Sequence, residues 1–346
     1  MKYFSKLTIA LLVTTITFFT SSCEKDEDQD QSNTILSVAL ENPDLSTFAD
    51  VLLVTNLEEI LKKQEPYTVF APTNKAFEDF LIYSNYKSLS KVPVNLLKQL
   101  ILNHIIVGNI KSTELSTGYV KTLAKSSVSG TNTMSMYVDI SSGVKLNGVS
   151  KVTTPNIITS NGTIHLVDAI IDFPFITTHL KLNPKLSTLS DVITVNADAD
   201  FVKLLSLPNF YKIDAQEFFV PIKSVTVFAP TNTAFSDLNT ELAPSGIGGV
   251  TKENLNNILK YHVTNGNFLA ASLTENQKIP SLFLLPSPIP IPTPDPGPKY
   301  EEFTIQLTGG PKIKDVKNRI STIEATDIQC WNGVIHVVNK VLLPNL

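Results

Sequence analysis

Four of the five histidines in this 346-residue chain, His104, His165, His262 and His336, fall at matching places in two halves of the sequence. Such an arrangement would give each half two imidazoles able to ligate zinc or to move a proton. A histidine on an apolar helix face or strand is more usually a hydrogen-bonded core residue, and that is the expectation here, with no metal and no cofactor in either half. Asn196-x-Asp198-x-Asp200 opens like a calcium loop, but Phe201 and Leu207 stand where the loop needs a glycine and a final glutamate. A helix cap is expected there instead. Gly-x-Ser-x-Gly, a phosphate-binding glycine loop with lysine, paired cysteines and His-Glu-x-x-His are all absent from the sequence, which favours a binding protein over an enzyme.

The elements that position these residues are legible because the chain repeats itself. Thr68-Val-Phe-Ala-Pro-Thr-Asn-Lys-Ala-Phe77 recurs as Thr226-Val-Phe-Ala-Pro-Thr-Asn-Thr-Ala-Phe235. β-favouring residues followed by proline, then Thr-Asn, predict a strand that passes directly into a capped helix. Leu97, Leu100, Ile101 and His104 follow the i, i+3, i+4, i+7 spacing of one helix face, so the histidine lies on the buried side. Leu255, Ile258, Leu259 and His262 continue the repeat. Asn161-Gly162 and Asn332-Gly333 sit between β-type runs and predict tight hairpin turns of the I′ kind.

These words resemble the conserved elements of the fasciclin (FAS1) family: Tyr67 to Asn74 with Ala76-Phe77, the mid-domain His104 or Tyr261-His262, the Asn-Gly-x-Ile-His closing strand, and the opening Thr34 to Ala39 with Asn42 to Thr47. The resemblance implies an α+β fold of two tandem domains, each a twisted β wedge of about seven strands packed with short helices. It places domain 1 at 33–172 and domain 2 at 173–346, with a short, partly apolar linker at 173–184 that favours a fixed tandem. Asn103 replaces the tyrosine usual before the mid-domain histidine, so a role for a Tyr-His pair rests on Tyr261 and His262 alone.

Ahead of the repeats, Lys2 and Lys6 precede an apolar run from Leu7 to Phe19. That run is too short to span a bilayer and reads as the core of a signal peptide over residues 1–22. Thr20-Ser21-Ser22-Cys23 resembles the lipobox of bacterial lipoproteins, which implies lipidation of Cys23 and membrane attachment through the N-terminal lipid. Residues 23–32 then form an acidic tether, with five acids and one lysine between Glu24 and Asp30. A lysine followed by acids resembles the signal that sends some lipoproteins to the outer face of the outer membrane. With Cys23 acylated, Cys330 has no disulfide partner and is expected as a buried thiol. Net charge is −4 with no basic run, which argues against nucleic acid as a partner.

Between Pro280 and Pro298 eight prolines are interleaved with Phe283, Leu284, Leu285, Ile289 and Ile291. The spacing predicts an extended polyproline-II loop inserted into domain 2, whose apolar residues either pack on a neighbouring surface or await a partner. The candidate binding residues are therefore Tyr261, His262, Phe283, Leu284, Leu285, Ile289 and Ile291. The resemblance implies surface adhesion to a protein or extracellular-matrix partner; the alternative is an accessory lipoprotein that captures glycan for polysaccharide uptake. Trp331, the one tryptophan, lies beside a hairpin turn, where packing and sugar stacking are both open.

Overall fold

The computed structural model describes residues 33–62, 65–84, 86–206, 223–285 and 298–346. In domain 1, seven strands follow in chain order: β1 (Tyr67–Pro72), β2 (Ile105–Val107), β3 (Gly118–Lys125), β4 (Thr133–Asp139), β5 (Lys145–Leu146), β6 (Ser150–Thr159) and β7 (Gly162–Val167). They close into a barrel, with β1 antiparallel to β2 and parallel to β7. Domain 2 repeats the set as β8 (Val225–Pro230), β9 (Val263–Asn265), β10 (Lys278–Leu284), β11 (Tyr300–Gln306), β12 (Lys312–Lys314), β13 (Ile320–Cys330) and β14 (Gly333–Val338). Its sheet runs β10-β11-β12-β13-β14-β8-β9, so β10 and β9 are its ends. Thr264 Oγ1 donates to the Pro280 carbonyl at 2.7 Å across the seam between them.

Each repeated phrase does what its residue types dictate. Val69, Phe70 and Ala71 are buried in β1, as are Val227, Phe228 and Ala229 in β8. Thr73 and Thr231 then cap the following helices by accepting from the Ala76 and Ala234 N–H groups at 3.3 and 3.2 Å. The neighbouring asparagines do something else. Asn74 accepts from the Thr47 N–H and donates to the Pro43 carbonyl, and Asn232 makes the same pair with Thr188 and Pro184, stapling the opening helices of each domain to its strand-helix corner.

The Asn-Gly expectation needs correction. The two-residue turns are Ser160-Asn161 and Trp331-Asn332, since Thr159 pairs with Gly162 and Cys330 with Gly333. Neither asparagine has the positive φ that a I′ turn requires. Glycine is needed instead because the strands meet closely: a Cβ at Gly162 would stand 1.9 Å from the Tyr67 carbonyl oxygen, and one at Gly333 2.0 Å from that of Val225. The asparagine side chains turn inward, Asn161 bonding Ile35 and Leu61, and Asn332 bonding Ile176, Leu204 and Leu205.

The two domains meet through buried polar and aromatic groups. The residues read as a linker contain the helix Ile176–Leu182, whose His179 Nε2–H donates to the Ser135 carbonyl at 2.9 Å. Lys121 Nζ donates to the Asp327 carbonyl at 2.7 Å and to Ser135 Oγ at 3.0 Å, and Ser135 Oγ accepts the Gln329 N–H at 3.1 Å. Gln329 Nε2 reaches Ser126 Oγ in domain 1 and Asn267 Oδ1 in domain 2. Trp331 enters the core of domain 1, stacked on Phe173, so its indole face is spent on packing.

Candidate functional site

The repeated imidazoles are built into the frame. His104 Nε2 accepts from the Ile171 N–H at 2.9 Å, which leaves Nδ1–H to donate to the Leu100 carbonyl at 2.7 Å. His262 repeats this with Leu342 and Ile258. His165 and His336 hold the other tautomer, with Nδ1 accepting from Asn156 and Asp327 N–H groups and Nε2–H donating to Ile110 and Phe268 carbonyls. Burial holds all four rings neutral and pulls His104 and His262 down to about 4. Both nitrogens of every ring are thus engaged, and among the described residues no group of three His, Cys, Asp or Glu side chains could hold a metal.

Other polar residues singled out in the sequence also serve local structure. Asp198 accepts from the Phe201 N–H at 2.8 Å, capping the helix Ala199–Leu205, and its pairing with Lys260, ahead of its bonds to Asn256 and Phe201, lowers its carboxyl to about 2. Cys330 is fully buried and burial pushes its thiol up, away from the reactive thiolate.

The candidate binding residues divide sharply. Tyr261 is wholly buried against Phe303; its hydroxyl donates to the Glu302 carbonyl at 3.1 Å and accepts from the Val316 N–H at 3.3 Å. With His262 bonded at both nitrogens, the Tyr-His pair presents no polar atom to a ligand. Phe283 points into the same core. Its place corrects the polyproline expectation for the start of the insertion: Pro280 to Leu284 belong to β10, paired with β11 up to Leu284 opposite Tyr300. Proline is tolerated because β10 ends the sheet, where a missing N–H breaks no central ladder. Leu284 is 51 % exposed, and Leu285 lines a surface groove. Ile289, Ile291 and the lipidation candidate Cys23 lie outside the described residues.

That groove, of about 490 Å³, is the concave surface the fold offers at the insertion's root. It runs over the outer face of β10, β11 and β12. Alternation along the strands buries Ile279, Phe303, Ile305 and Ile313 and turns Lys278, Glu302, Thr304 and Lys314 outward. Register sets Thr304 directly between Lys278 and Lys314. Tyr300, 40 % exposed, stands at one end. The signal that could have found these residues was the period-two pattern in Lys312-Ile313-Lys314 and Tyr300 to Gln306, beside which the prolines stand out more.

Comparison with known proteins matches the fasciclin domain model at residues 43–173 and 187–344. Human periostin is 25 % identical over 299 residues, covering 86 % of this chain and 30 % of periostin. Protein sll1483 of Synechocystis sp. is 30 % identical over 151 residues, 41 % of this chain and 74 % of that protein. The chain therefore spans less than a third of periostin's length. Among solved structures, a FAS1 domain pair from the insect cell adhesion molecule fasciclin I aligns with 16 % identity and a TM-score of 0.47, covering 88 % of this chain and 98 % of that one.

Proposed function

The chain belongs to the fasciclin domain family, as two domains in tandem, and from that premise we propose that it is an extracellular adhesion protein that holds a protein or matrix partner. The observation that carries this reading is where the reactive groups go. The imidazoles at the four repeated positions are bonded at both nitrogens to the backbone, and the thiol of Cys330 is sealed in the core. The fold spends its chemistry on rigidity and leaves outward surfaces for recognition.

In the same proposal the chain is exported, acylated at Cys23 and displayed at the outer face of the outer membrane on the tether 23–32. No helix among the described residues is long and apolar enough to cross a membrane. The supporting features are the sequence ones: a short apolar run, small residues before Cys23 and an acidic spacer behind it.

The test expresses the full chain in a Gram-negative host with labelled palmitate and measures adherence of the cells to surfaces coated with matrix proteins or with polysaccharides. Label lost in Cys23→Ala, with adherence to protein coats lost alongside it, is the expected result. Unchanged labelling in that variant would sink the anchor, and adherence to polysaccharide coats alone would replace adhesion by glycan capture.

A further inference from the structure

Tandem packing covers one face of the repeat in domain 1, and among the described residues leaves the matching face of domain 2 open. Across β3 and β4 of domain 1, Tyr119 pairs with Tyr137, and Tyr137 exchanges hydrogen bonds with Asn147 after β5. This row is covered. Tyr119 packs against the core of domain 2 and meets the His179 ring edge-on at 5.0 Å, while the neighbouring Ser135 bonds His179 and Gln329. The matching register positions in domain 2 are Lys278, Thr304 and Lys314. No further domain of the described chain covers them, and they floor the groove of about 490 Å³.

The exchange of residues gives that open face a chemical preference. Solvation alone would be met by charges of either sign. Here two ammonium groups flank one hydroxyl on strands separated by β11, roughly 10 Å apart by strand spacing, and among the described residues neither makes an ion pair. Lys312, opposite Gln306, lies beyond the groove and donates to the Thr308 carbonyl at 3.3 Å. The groove's lining carries the outward carboxylate of Glu302 and two nearly buried ones, Glu301 bonded to Asn345 and Asp315 paired with Arg319. Its outward-facing charges are therefore two ammoniums to one carboxylate, because Glu301 and Asp315 are turned inward onto Asn345 and Arg319. On a chain of net charge −4 that exposed ammonium pair attracts anions locally. Tyr300 supplies an exposed aromatic face, and Gln306 an amide for hydroxyl groups. Repeated carboxylates on a hydroxyl-rich, extended backbone answer all of these features together.

We infer that the outer face of β10, β11 and β12 binds an acidic polysaccharide, with carboxylates paired to Lys278 and Lys314 and a sugar ring laid on Tyr300. The site goes beyond the adhesion reading and stands or falls separately from it, because its readout is polysaccharide binding to the purified chain rather than adherence of cells to protein coats.

Polygalacturonate is the probe, with neutral dextran and poly-glutamate as comparisons, titrated into the purified full-length chain by calorimetry. Polygalacturonate should bind, more weakly as salt rises, and dextran should not. Lys278→Gln with Lys314→Gln should weaken binding about tenfold or more, whereas Lys185→Gln with Lys252→Gln, exposed lysines elsewhere in domain 2, should leave it unchanged. Tyr300→Ala should weaken binding while leaving its salt dependence intact. Equal loss in both lysine pairs would reduce the site to general charge attraction and overturn the inference. So would absence of polygalacturonate binding, equal binding of dextran, or poly-glutamate binding as tightly and failing in the same Lys278/Lys314 variant, which would assign the face to an acidic protein.

Discussion

The indole of Trp331, from the closing hairpin of domain 2, lies 4.2 Å from the ring of Phe173, at the junction behind domain 1, with the planes 17° apart. Trp331 is 3 % exposed and counts in the core of domain 1, while its carbonyl accepts from Ser126 and Ser127. Trp331 thus fastens the two repeats together beside the polar links of Lys121, Ser135 and Gln329.

Replacing it should uncouple them. Trp331→Ala removes a buried aromatic and its stack, a loss of about 3–5 kcal/mol. Urea unfolding followed by fluorescence and circular dichroism should change from one transition to two. A single transition at an unshifted midpoint would show that the stack does not couple the domains.

Acid should weaken the fold well before carboxylates are protonated in bulk. Burial lowers the pKa of His104 and His262 to about 4 and that of His179 to about 3, and it lowers His165 and His336. The native state holds these rings neutral, so their contribution is complete above the unfolded pKa of about 6.5. It is lost as pH falls from there toward the native values, about 4 for His104 and His262 and about 3 for His179, because the unfolded chain takes up protons that the native state refuses. His104, His262 and His179 each add up to about 1.4 kcal/mol per pH unit in that window. Urea midpoints should fall between pH 7 and pH 4.5, and less steeply in His262→Gln; a flat profile would contradict the assignment.

The closing-strand glycines should tolerate no side chain. Gly333→Ala drives a Cβ onto the Val225 carbonyl oxygen, a backbone atom that moves only with the strand. A cost of about 3 kcal/mol is expected. Gly130→Ala, where a Cβ meets nothing within 4 Å but φ is +63°, supplies the comparison for backbone strain alone and should cost about 1 kcal/mol. Equal losses in thermal denaturation would show that the close approach at β8 is not the constraint.

Tyr261 should behave as a core residue. Tyr261→Phe keeps the packing against Phe303 but leaves the Val316 N–H and the Glu302 carbonyl without the hydroxyl they share. Stability should drop by about 1–2 kcal/mol with polygalacturonate binding unchanged. A selective loss of binding in a variant of unaltered stability would return this tyrosine to the recognition surface.

The sequence by itself determined the repeat, the strand-to-helix corners, the buried face bearing His104 and His262, and the closing hairpins. Those features depend on neighbours a few residues away, where side-chain period, proline and capping threonine act directly on the backbone. Tertiary structure alone decided what the asparagines and glycines of the closing turns are for, because Asn161 meets Ile35 and Gly162 meets Tyr67 only once distant segments pack. It also decided that Tyr261, His262 and Phe283 are spent inside while Leu284 stays outside. The row Lys278, Thr304 and Lys314 exists only across three strands in register. Cross-strand register is set by the whole sheet and its turns, so no local window of residues reveals which charges stand side by side or which face a neighbouring domain covers.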